Sequence, residues 1–285
     1  MSEAPSLLIN GRATTAVDAL DRGLAYGDGV FRTIRVEGGQ PLFWDRHVAH
    51  LADGCNRLGI PAIDSRHLAS ESASLFADRG DGVLKIVVTR GVGGRGYRPP
   101  DAPQPTRLVA RFPMPPAPVL ANGGVRVRLC ATRAAIQPAT AGIKTLNRLD
   151  QVLARAEWSD PDVFEGLMMD TEGFLTGGTM SNLFLVIGDR LFTPAIDRAG
   201  IAGAMRAAVL DAAGDGGVET VEARLSPSAL AQADEAYLTN SVIGVVAITD
   251  LCGRSLAAGA ITRRLRQTIA DAGATSRRAA PWPAS

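Results

Sequence analysis

The sequence predicts a mixed α/β protein of two domains. Strand-like stretches are interspersed with stretches whose apolar residues recur at helical spacing. The segment 113–122, PMPPAPVLAN, is rich in proline and lacks periodicity, which is typical of a linker. At 285 residues the chain is long enough for two modest cores. We therefore predict an N-terminal domain over 1–115, a linker over 116–121 and a C-terminal domain over 122–285.

The N-terminal region predicts two hairpins. Leu7–Ile9 is an apolar run that enters Asn10-Gly11, a dipeptide typical of two-residue hairpin turns. Phe31–Val36 and Pro41–Trp44 flank a second turn, EGGQ at 37–40, which predicts the second hairpin. The remaining elements predicted here are a helix with Asp45 as its N-cap, a helix over Ser65–Ala77, and strands over Gly82–Arg90 and Thr106–Phe112.

The C-terminal region alternates between strand and helix patterns. Val125–Thr132 alternates apolar and polar residues, as a half-buried strand does. Asn147–Ser159 places Leu149, Val152, Leu153 and Ala156 on one side, which predicts a helix. The further elements predicted are strands over Phe164–Met169, Asn182–Ile187, Ala236–Leu238 and Gly244–Ile248, and helices over Gly203–Ala213 and Ile261–Ala272.

Composition excludes several classes of function. The net charge is +1 without a basic cluster, so the footprint of a nucleic-acid binder is missing. No apolar run reaches the roughly 18 residues of a membrane span, and residues 1–5 show no signal-peptide pattern. The cysteines are odd in number and far apart, which indicates a reducing, cytoplasmic location. The histidines lack zinc-ligand spacing, so we predict no metal site. These residues are Cys55, Cys130 and Cys252, and His47, His50 and His67.

Lysine is scarce in this chain. Lys85 and Lys144 are the only two among 30 lysine and arginine residues. Because arginine stays protonated, these two are the only side chains able to act as amine nucleophiles. A composition bias toward arginine explains most of the scarcity. Lys144 is the more informative, since the small or apolar residues Ala141, Gly142 and Ile143 precede it and could desolvate its amine. The alternative is a solvated surface lysine.

Two kinds of segment could bind a phosphate. Residues 199–206, AGIAGAMR, form a small-residue turn before a helix, where backbone N–H groups and the positive dipole end favour an anion. Residues 239–241, TNS, follow an apolar strand, and residues 176–182, TGGTMSN, precede one. Such turns often line sites and equally often are plain loops. A reactive amine, a phosphate-binding helix start and polar turns are together what pyridoxal phosphate requires.

Five segments of the chain resemble a known family. They are DRGLAYGDGVF at 21–31, GVLKIVVTRGVGGRGY at 82–97, AGIKTLNRLDQV at 141–152, TMSNLF at 179–184, and 192–206. They are similar to segments of the fold-type IV pyridoxal-phosphate enzymes, the class IV aminotransferases. The resemblance implies a D-amino-acid-aminotransferase-like fold with a smaller N-terminal α/β domain and a larger, barrel-like C-terminal α/β domain. It also implies a homodimer that binds pyridoxal 5'-phosphate and a small-molecule substrate.

Within the family, the GGRGY and IKTLNRL segments favour a lyase of folate biosynthesis that releases 4-aminobenzoate and pyruvate. The resemblance implies that Lys144 is the Schiff-base lysine and catalytic base, whereas Lys85 is structural. Tyr26, Arg35, Arg95 and Tyr97 fall in segments that approach the substrate in relatives, although each could instead be a surface charge or a packed ring. A guanidinium there would suit a dicarboxylate. The implied cofactor-binding residues are Lys144, His50, Thr179, Gly203, Ala204, Met205, Asn240 and Ser241.

Two positions depart from the family's pattern. The family usually places an arginine five residues after the Asp45 position to pair with the phosphate, where this chain has His50; Arg46, one turn earlier, is the other candidate. The family commonly has a glutamate facing the pyridine nitrogen where this chain has Gly177, and Glu172 precedes that turn and is not assigned its role. A neutral pyridine is a weaker electron sink. The departure therefore favours an elimination that forms an aromatic ring over transamination.

Three alternatives stay open. A D-amino-acid or branched-chain aminotransferase shares the fold and the cofactor. A degenerate homologue, kept for dimerisation or regulation, would be consistent with His50 and Gly177. A plain metabolite-binding α/β protein would leave the combination of motifs unexplained.

Overall fold

The computed structural model describes residues 6–118, 120, 123–279 and 282, in two compact units. The first unit contains the described residues up to Pro115, Ile143–Asn147 and the chain from Gly273 onward, and the second contains the rest. Part of the segment predicted as a linker, 116–121, lies outside the described residues. The division differs from a simple cut near 118, because Ile143–Asn147 returns to the first unit.

The first unit is built on a six-stranded antiparallel sheet. The strand order is β2-β1-β6-β5-β3-β4. The strands are β1 (Ser6–Ile9), β2 (Arg12–Ala13), β3 (Gly29–Glu37), β4 (Gln40–Pro41), β5 (Gly82–Thr89) and β6 (Thr106–Phe112), and the helices are α1 (Arg22–Tyr26), α2 (Trp44–Leu58) and α3 (Ser65–Leu75).

Alternation along β3 separates the two faces of this sheet. Val30, Ile34 and Val36 are buried and join the core with residues of α2 and α3. The residues between them are only partly buried. Arg32 stands in the buried series, a charged residue at a position where the pattern calls for an apolar one. Both predicted hairpins are confirmed, and Asn10 and Gly11 adopt φ values of 48° and 77° in the first turn.

The predicted N-cap of α2, Asp45, is wrong by two positions. Phe43, with a left-handed φ of 55°, occupies the N-cap, and no side chain caps the helix there. Asp45 lies in the first turn instead, where its negative charge still interacts favourably with the helix dipole.

The second unit is a nine-stranded mixed sheet. Its path is β12-β11-β10-β13-β14-β7-β8-β9, with β15 paired to β14. The terminal strand β9 also contacts β10 and β11, so the sheet curls into a half-barrel, as the barrel-like domain prediction required. The strands are β7 (Val125–Ala134), β8 (Val163–Asp170), β9 (Leu175–Gly178), β10 (Asn182–Ile187), β11 (Arg190–Pro194), β12 (Thr220–Ala223), β13 (Glu235–Asn240), β14 (Gly244–Leu251) and β15 (Arg254–Ser255).

Four helices accompany this sheet: α4 (Leu149–Arg155), α5 (Ala204–Asp215), α6 (Ser228–Gln232) and α7 (Ala260–Ala279). The helix predicted over Asn147–Ser159 is confirmed as the shorter α4, and its larger apolar side chains are exposed. Leu149 is 73% exposed, Val152 and Leu153 are also exposed, and Ala154 is the helix residue that is buried. The small Ala154 packs in a cluster with Cys130 and Trp158, which turns the larger apolar side chains outward.

Two features are absent from the residues that the structure describes, a membrane-spanning helix and a metal-binding cluster. None of their helices is long and apolar enough to cross a membrane. No group of three or more His, Cys, Asp or Glu side chains among them is arranged to hold a metal ion.

Candidate active site

Lys144 is presented by a backbone segment that β3 holds on both sides. Phe31 N donates to Lys144 O at 2.9 Å, and Leu146 N donates to Gly29 O at 2.9 Å. Ile143, the preceding residue, is buried in the core of the first unit. With its backbone hydrogen-bonded and its neighbour packed, Lys144 projects from a rigid edge rather than from a mobile loop.

Both lysines of the chain flank a single aromatic ring. The Nζ atom of Lys144 lies 4.6 Å from the centroid of Phe31, and that of Lys85 lies 5.6 Å from it. Lys85 reaches this position because it pairs with Thr33 in the register of β5 against β3. The family resemblance implies different roles for the two lysines, and the structure places both Nζ atoms near the ring of Phe31.

Positive charge accumulates around His47 on α2. His47 is buried, and its Nδ1 finds no hydrogen-bond partner in the described part of the chain. Burial first, and then the positive charges of Arg32, His50, Lys144 and Arg46 in that order, together lower the pKa of His47 to about 3. His47 is therefore neutral, with cationic groups on several sides of it.

The predicted substrate residues divide into two places. Tyr26 and Tyr97 form an edge-to-face pair at 5.5 Å, and the Tyr26 hydroxyl accepts a hydrogen bond from Gly96 N at 3.1 Å. Arg95 lies in the same exposed loop as Tyr97. Arg35 lies on β3 and forms an ion pair with Glu37 at 2.6 Å.

Sequence reasoning missed Arg22, which fixes that loop. The buried Arg22 donates to the carbonyl oxygens of Gly96 and Tyr97, each at 3.0 Å, and to Asp28 at 2.8 Å. Burial alone would raise the pKa of Asp28, but hydrogen bonds and charge from Arg90 and then Arg22 lower it. The sequence signal that could have revealed Arg22 is the pair of segments DRG at 21–23 and GDG at 27–29, in which charged residues stand beside glycines.

The start of α5 in the second unit has the features of an anion site. Gly203 is its N-cap and no side chain caps the helix, while Ala204 and Met205 are buried. A Cβ on Gly203 would collide with the Oδ1 of Asn182, whose Nδ2 donates to Ile201 O at 2.8 Å. Close packing around a glycine leaves the first-turn N–H groups of α5 for an external acceptor.

The two polar turns predicted in the second unit are joined directly. Asn240 Nδ2 donates to Met180 O at 3.2 Å, and Asn240 Oδ1 accepts from Val242 N and Ile243 N at 2.9 Å each. The side chain of Asn240 therefore shapes its own turn, which contains Ser241, and ties it to the turn that contains Thr179.

Glu165 organises the Thr179 turn, and sequence reasoning missed it. Its carboxylate is fully buried at 0% exposure. Thr179 Oγ1 donates to Oε1 at 2.6 Å and Ser181 Oγ donates to Oε2 at 2.7 Å. The backbone N–H groups of Gly166, Thr179 and Met180 supply three further hydrogen bonds. An acid inside the apolar run VFEGLMMD is the signal that could have revealed it.

Gly177 cannot be replaced freely in this fold. Its φ is 131°, and a Cβ there would lie 2.9 Å from Ser181 O. Glu172, the nearby acid, pairs with Arg198 at the surface. Position 177 therefore carries no side chain, and the nearby carboxylate of Glu172 is paired with Arg198 instead.

The fold and these residues together define an α/β enzyme with a rigidly held lysine. The family model described as Amino-transferase class IV matches residues 29–251. The chain belongs to this family, which confirms the predicted resemblance and fold class.

Individual relatives span nearly the whole chain. It is 34% identical to an aminodeoxychorismate lyase of Vibrio harveyi over 92% of this chain and 98% of the relative. It is 31% identical to a putative branched-chain-amino-acid aminotransferase of Methanocaldococcus jannaschii, over 93% of this chain and 95% of the relative. The crystal structure of 4-amino-4-deoxychorismate lyase from Pseudomonas aeruginosa is 43% identical, with a TM-score of 0.87 over 93% of this chain and 98% of that one.

Proposed function

We propose that this protein is a pyridoxal-phosphate-dependent lyase that converts 4-amino-4-deoxychorismate into 4-aminobenzoate and pyruvate, a step of folate biosynthesis. The observation that carries the proposal is the presentation of Lys144 from an edge that β3 fixes by hydrogen bonds at Phe31 and Leu146. The relatives at 34% and 43% identity, both aminodeoxychorismate lyases, support the choice of reaction.

The residues present fit the cofactor. Lys144 is the amine that attaches it. The first-turn N–H groups of α5, at Ala204 and Met205, suit a phosphate dianion because they are buried and lack a side-chain cap. Gly203 allows close approach there. The remaining phosphate and ring contacts proposed are those of Asn240, Ser241, Thr179 and His50.

Lys144 also moves the protons in the proposed reaction. When bound, the cofactor withdraws electrons from the substrate carbon that carries the nitrogen. The freed Nζ of Lys144 takes the proton from that ring carbon. The C–O bond to the enolpyruvyl group breaks, and the ring becomes aromatic. The Lys144 ammonium returns the proton to the methylene carbon of the leaving group, which gives pyruvate.

Gly177 supports elimination over transamination. A carboxylate at 177 would have to enter a backbone conformation with φ of 131° and a close contact with Ser181 O. Without an acid at this position the electron sink is weaker. The gain of aromaticity reduces the demand on the sink in the lyase reaction, whereas amino-group transfer has no comparable driving force.

Tyr26, Arg35, Arg95 and Tyr97 are proposed substrate contacts. A guanidinium can bind a carboxylate bidentately, and the substrate is a dicarboxylate. We also propose a homodimer in the cytoplasm, as the family resemblance implies.

Release of pyruvate and 4-aminobenzoate from aminodeoxychorismate by the purified chain tests the reaction. Lys144→Ala should lower turnover at least about 10³-fold. Borohydride reduction of the cofactor-loaded protein, followed by peptide mapping, should place the label on Lys144. Because Lys85 is the only other lysine, the map has one competing side chain. A label on Lys85, or turnover retained in Lys144→Ala, would contradict the assignment.

An aminotransferase is the second candidate, favoured by the 31% identity to the Methanocaldococcus jannaschii relative. Incubation with a D-amino acid or a branched-chain amino acid and a 2-oxoacid distinguishes it, because amine transfer would appear without pyruvate release from aminodeoxychorismate. A degenerate, non-catalytic homologue predicts that the purified protein stays colourless even after pyridoxal phosphate is added.

A further inference from the structure

The interior of the first unit holds an excess of positive charge on one side of β3. Arg32 is only 5% exposed and lies in the same buried series as Val30 and Ile34. Its Nη2 donates to the backbone oxygen of His50 on α2 at 2.8 Å. No carboxylate in the described part of the chain forms an ion pair with Arg32, and the exposed Asp53 acts on it only at longer range.

The neighbours of Arg32 carry the same sign of charge. Lys144, His50 and Arg46 all act on the buried His47 with the sign of cations, as Arg32 does. Burial lowers the pKa of Arg32 to about 10, so it is still protonated at neutral pH. Buried charges are normally paired, because an unpaired one loses its hydration without compensation. Arg32, buried without a carboxylate partner among the described residues, is therefore suited to an anion that comes from outside the chain.

We propose that Arg32 supplies the buried positive charge for the cofactor's phosphate and holds His50 in position toward it. This inference rests on the proposed function. The guanidinium comes from β3, whereas sequence reasoning considered only α2, at His50 and Arg46. Arg32 is bonded to the backbone of His50, so strand and helix act as one anion-binding unit.

Paired ligands that differ only in the phosphate test this role. Pyridoxamine 5'-phosphate and pyridoxamine both bind without the covalent bond to Lys144, and calorimetry gives both dissociation constants. The ratio of the two constants isolates the contribution of the phosphate. A fraction of misfolded protein changes the number of sites but leaves this ratio unchanged.

Two substitutions separate charge from positioning. Arg32→Gln keeps an N–H donor for His50 O and removes the charge, and it should lower the preference for the phosphorylated ligand roughly tenfold. Arg32→Lys keeps the charge and should retain most of the preference. Arg57→Gln, near the C-terminal end of α2, removes a cation that pairs with Asp53 instead, and it should leave the ratio within about twofold of wild type.

The outcomes distinguish this inference from the proposed function. If the wild-type protein binds neither ligand, the proposed function fails and the role of Arg32 fails with it. If the wild-type protein prefers the phosphorylated ligand and Arg32→Gln keeps that preference, Arg32 has no such role while the function stands. Equal losses for both ligands in Arg32→Gln, or an equal effect of Arg57→Gln, would also overturn it.

Discussion

Two buried charged groups, one in each unit, differ in how completely the protein satisfies them. Glu165 in the second unit receives five hydrogen bonds and needs nothing further. Arg32 in the first unit has one backbone acceptor and cationic neighbours. A saturated charge organises structure, whereas an unsaturated one marks a place for a ligand of opposite sign. The contrast agrees with a structural role for Glu165 and with the proposed anion-binding role of Arg32.

The largest effect expected concerns the saturated carboxylate. Glu165→Gln places an amide N–H₂ against N–H and hydroxyl donors, so the free energy of unfolding should fall by about 3–5 kcal/mol. Urea unfolding measures it. The control is Glu219→Gln, an exposed acid paired with Arg190, which should change stability by less than about 0.5 kcal/mol. Equal effects of the two substitutions would show that the hydrogen bonds of Glu165 stabilise the fold no more than an exposed ion pair does.

The turn that Glu165 organises should also resist a side chain at 177. Gly177→Ala should cost about 2–3 kcal/mol, because it combines a φ of 131° with a contact to Ser181 O at 2.9 Å. Gly188→Ala, in a left-handed turn with open space around it, should cost about 1 kcal/mol. Thermal unfolding of both variants gives the comparison, and a tolerated alanine at 177 would show that the turn can relax.

The buried His47, which lies near Arg32, should make stability depend on pH. The pKa of His47 is lowered from its ordinary 6.5 to about 3, so between these values the unfolded chain binds a proton that the folded chain does not. Stability should therefore fall as pH decreases from about 6.5 toward 3, by up to about 1.4 kcal/mol per pH unit.

Two substitutions and a ligand sharpen this measurement. His47→Gln should flatten the slope, whereas His67→Gln, at an exposed histidine, should leave it unchanged. Bound pyridoxal phosphate should reduce the slope, because an anion near the cations opposes the lowering of the His47 pKa. A slope that is the same in His47→Gln and wild type would assign the acid sensitivity to other groups.

The smallest effect expected is that of inorganic phosphate. Added to the protein without cofactor, 10–50 mM phosphate should stabilise it by less than about 1 kcal/mol, as weak binding to the folded state does. Part of this stabilisation is the general effect of phosphate as a salt that is excluded from the protein surface. Arg32→Gln measures that background, since it should retain the general effect and lose the specific one. Identical stabilisation of the wild-type and Arg32→Gln proteins would show that Arg32 does not bind phosphate.

Much of the fold was predictable because it depends on local patterns. Thr106–Phe112 and the hairpin at Asn10-Gly11 were read correctly, since alternation and turn chemistry act within a few residues. The exposure of Leu149 on α4 could not be predicted, because the same pattern serves a helix packed inward and one whose apolar side faces outward. Which side packs depends on Ala154 and its distant neighbours.

The candidate site divides in the same way. Lys144, the helix start at Gly203 and the turns at Thr179 and Asn240 could be named from sequence, since each is a short segment with recognisable chemistry. Arg32, Arg22 and Glu165 could not, because their roles depend on partners far along the chain. Arg32 and Glu165 each offered one local signal, a charged residue inside an apolar strand.

The sequence by itself determined the mixed α/β class and the family, because the class follows from periodicity and the family from short motifs, and it is the source of the proposal that Lys144 is the reactive lysine. Only the tertiary structure decided that Lys144 and Lys85 share the ring of Phe31 and that Glu165 is saturated. It alone decided that Arg32 meets the backbone of His50. The physical reason is that hydrogen bonding and desolvation depend on distance in space, and strand pairing brings together residues that the sequence keeps apart.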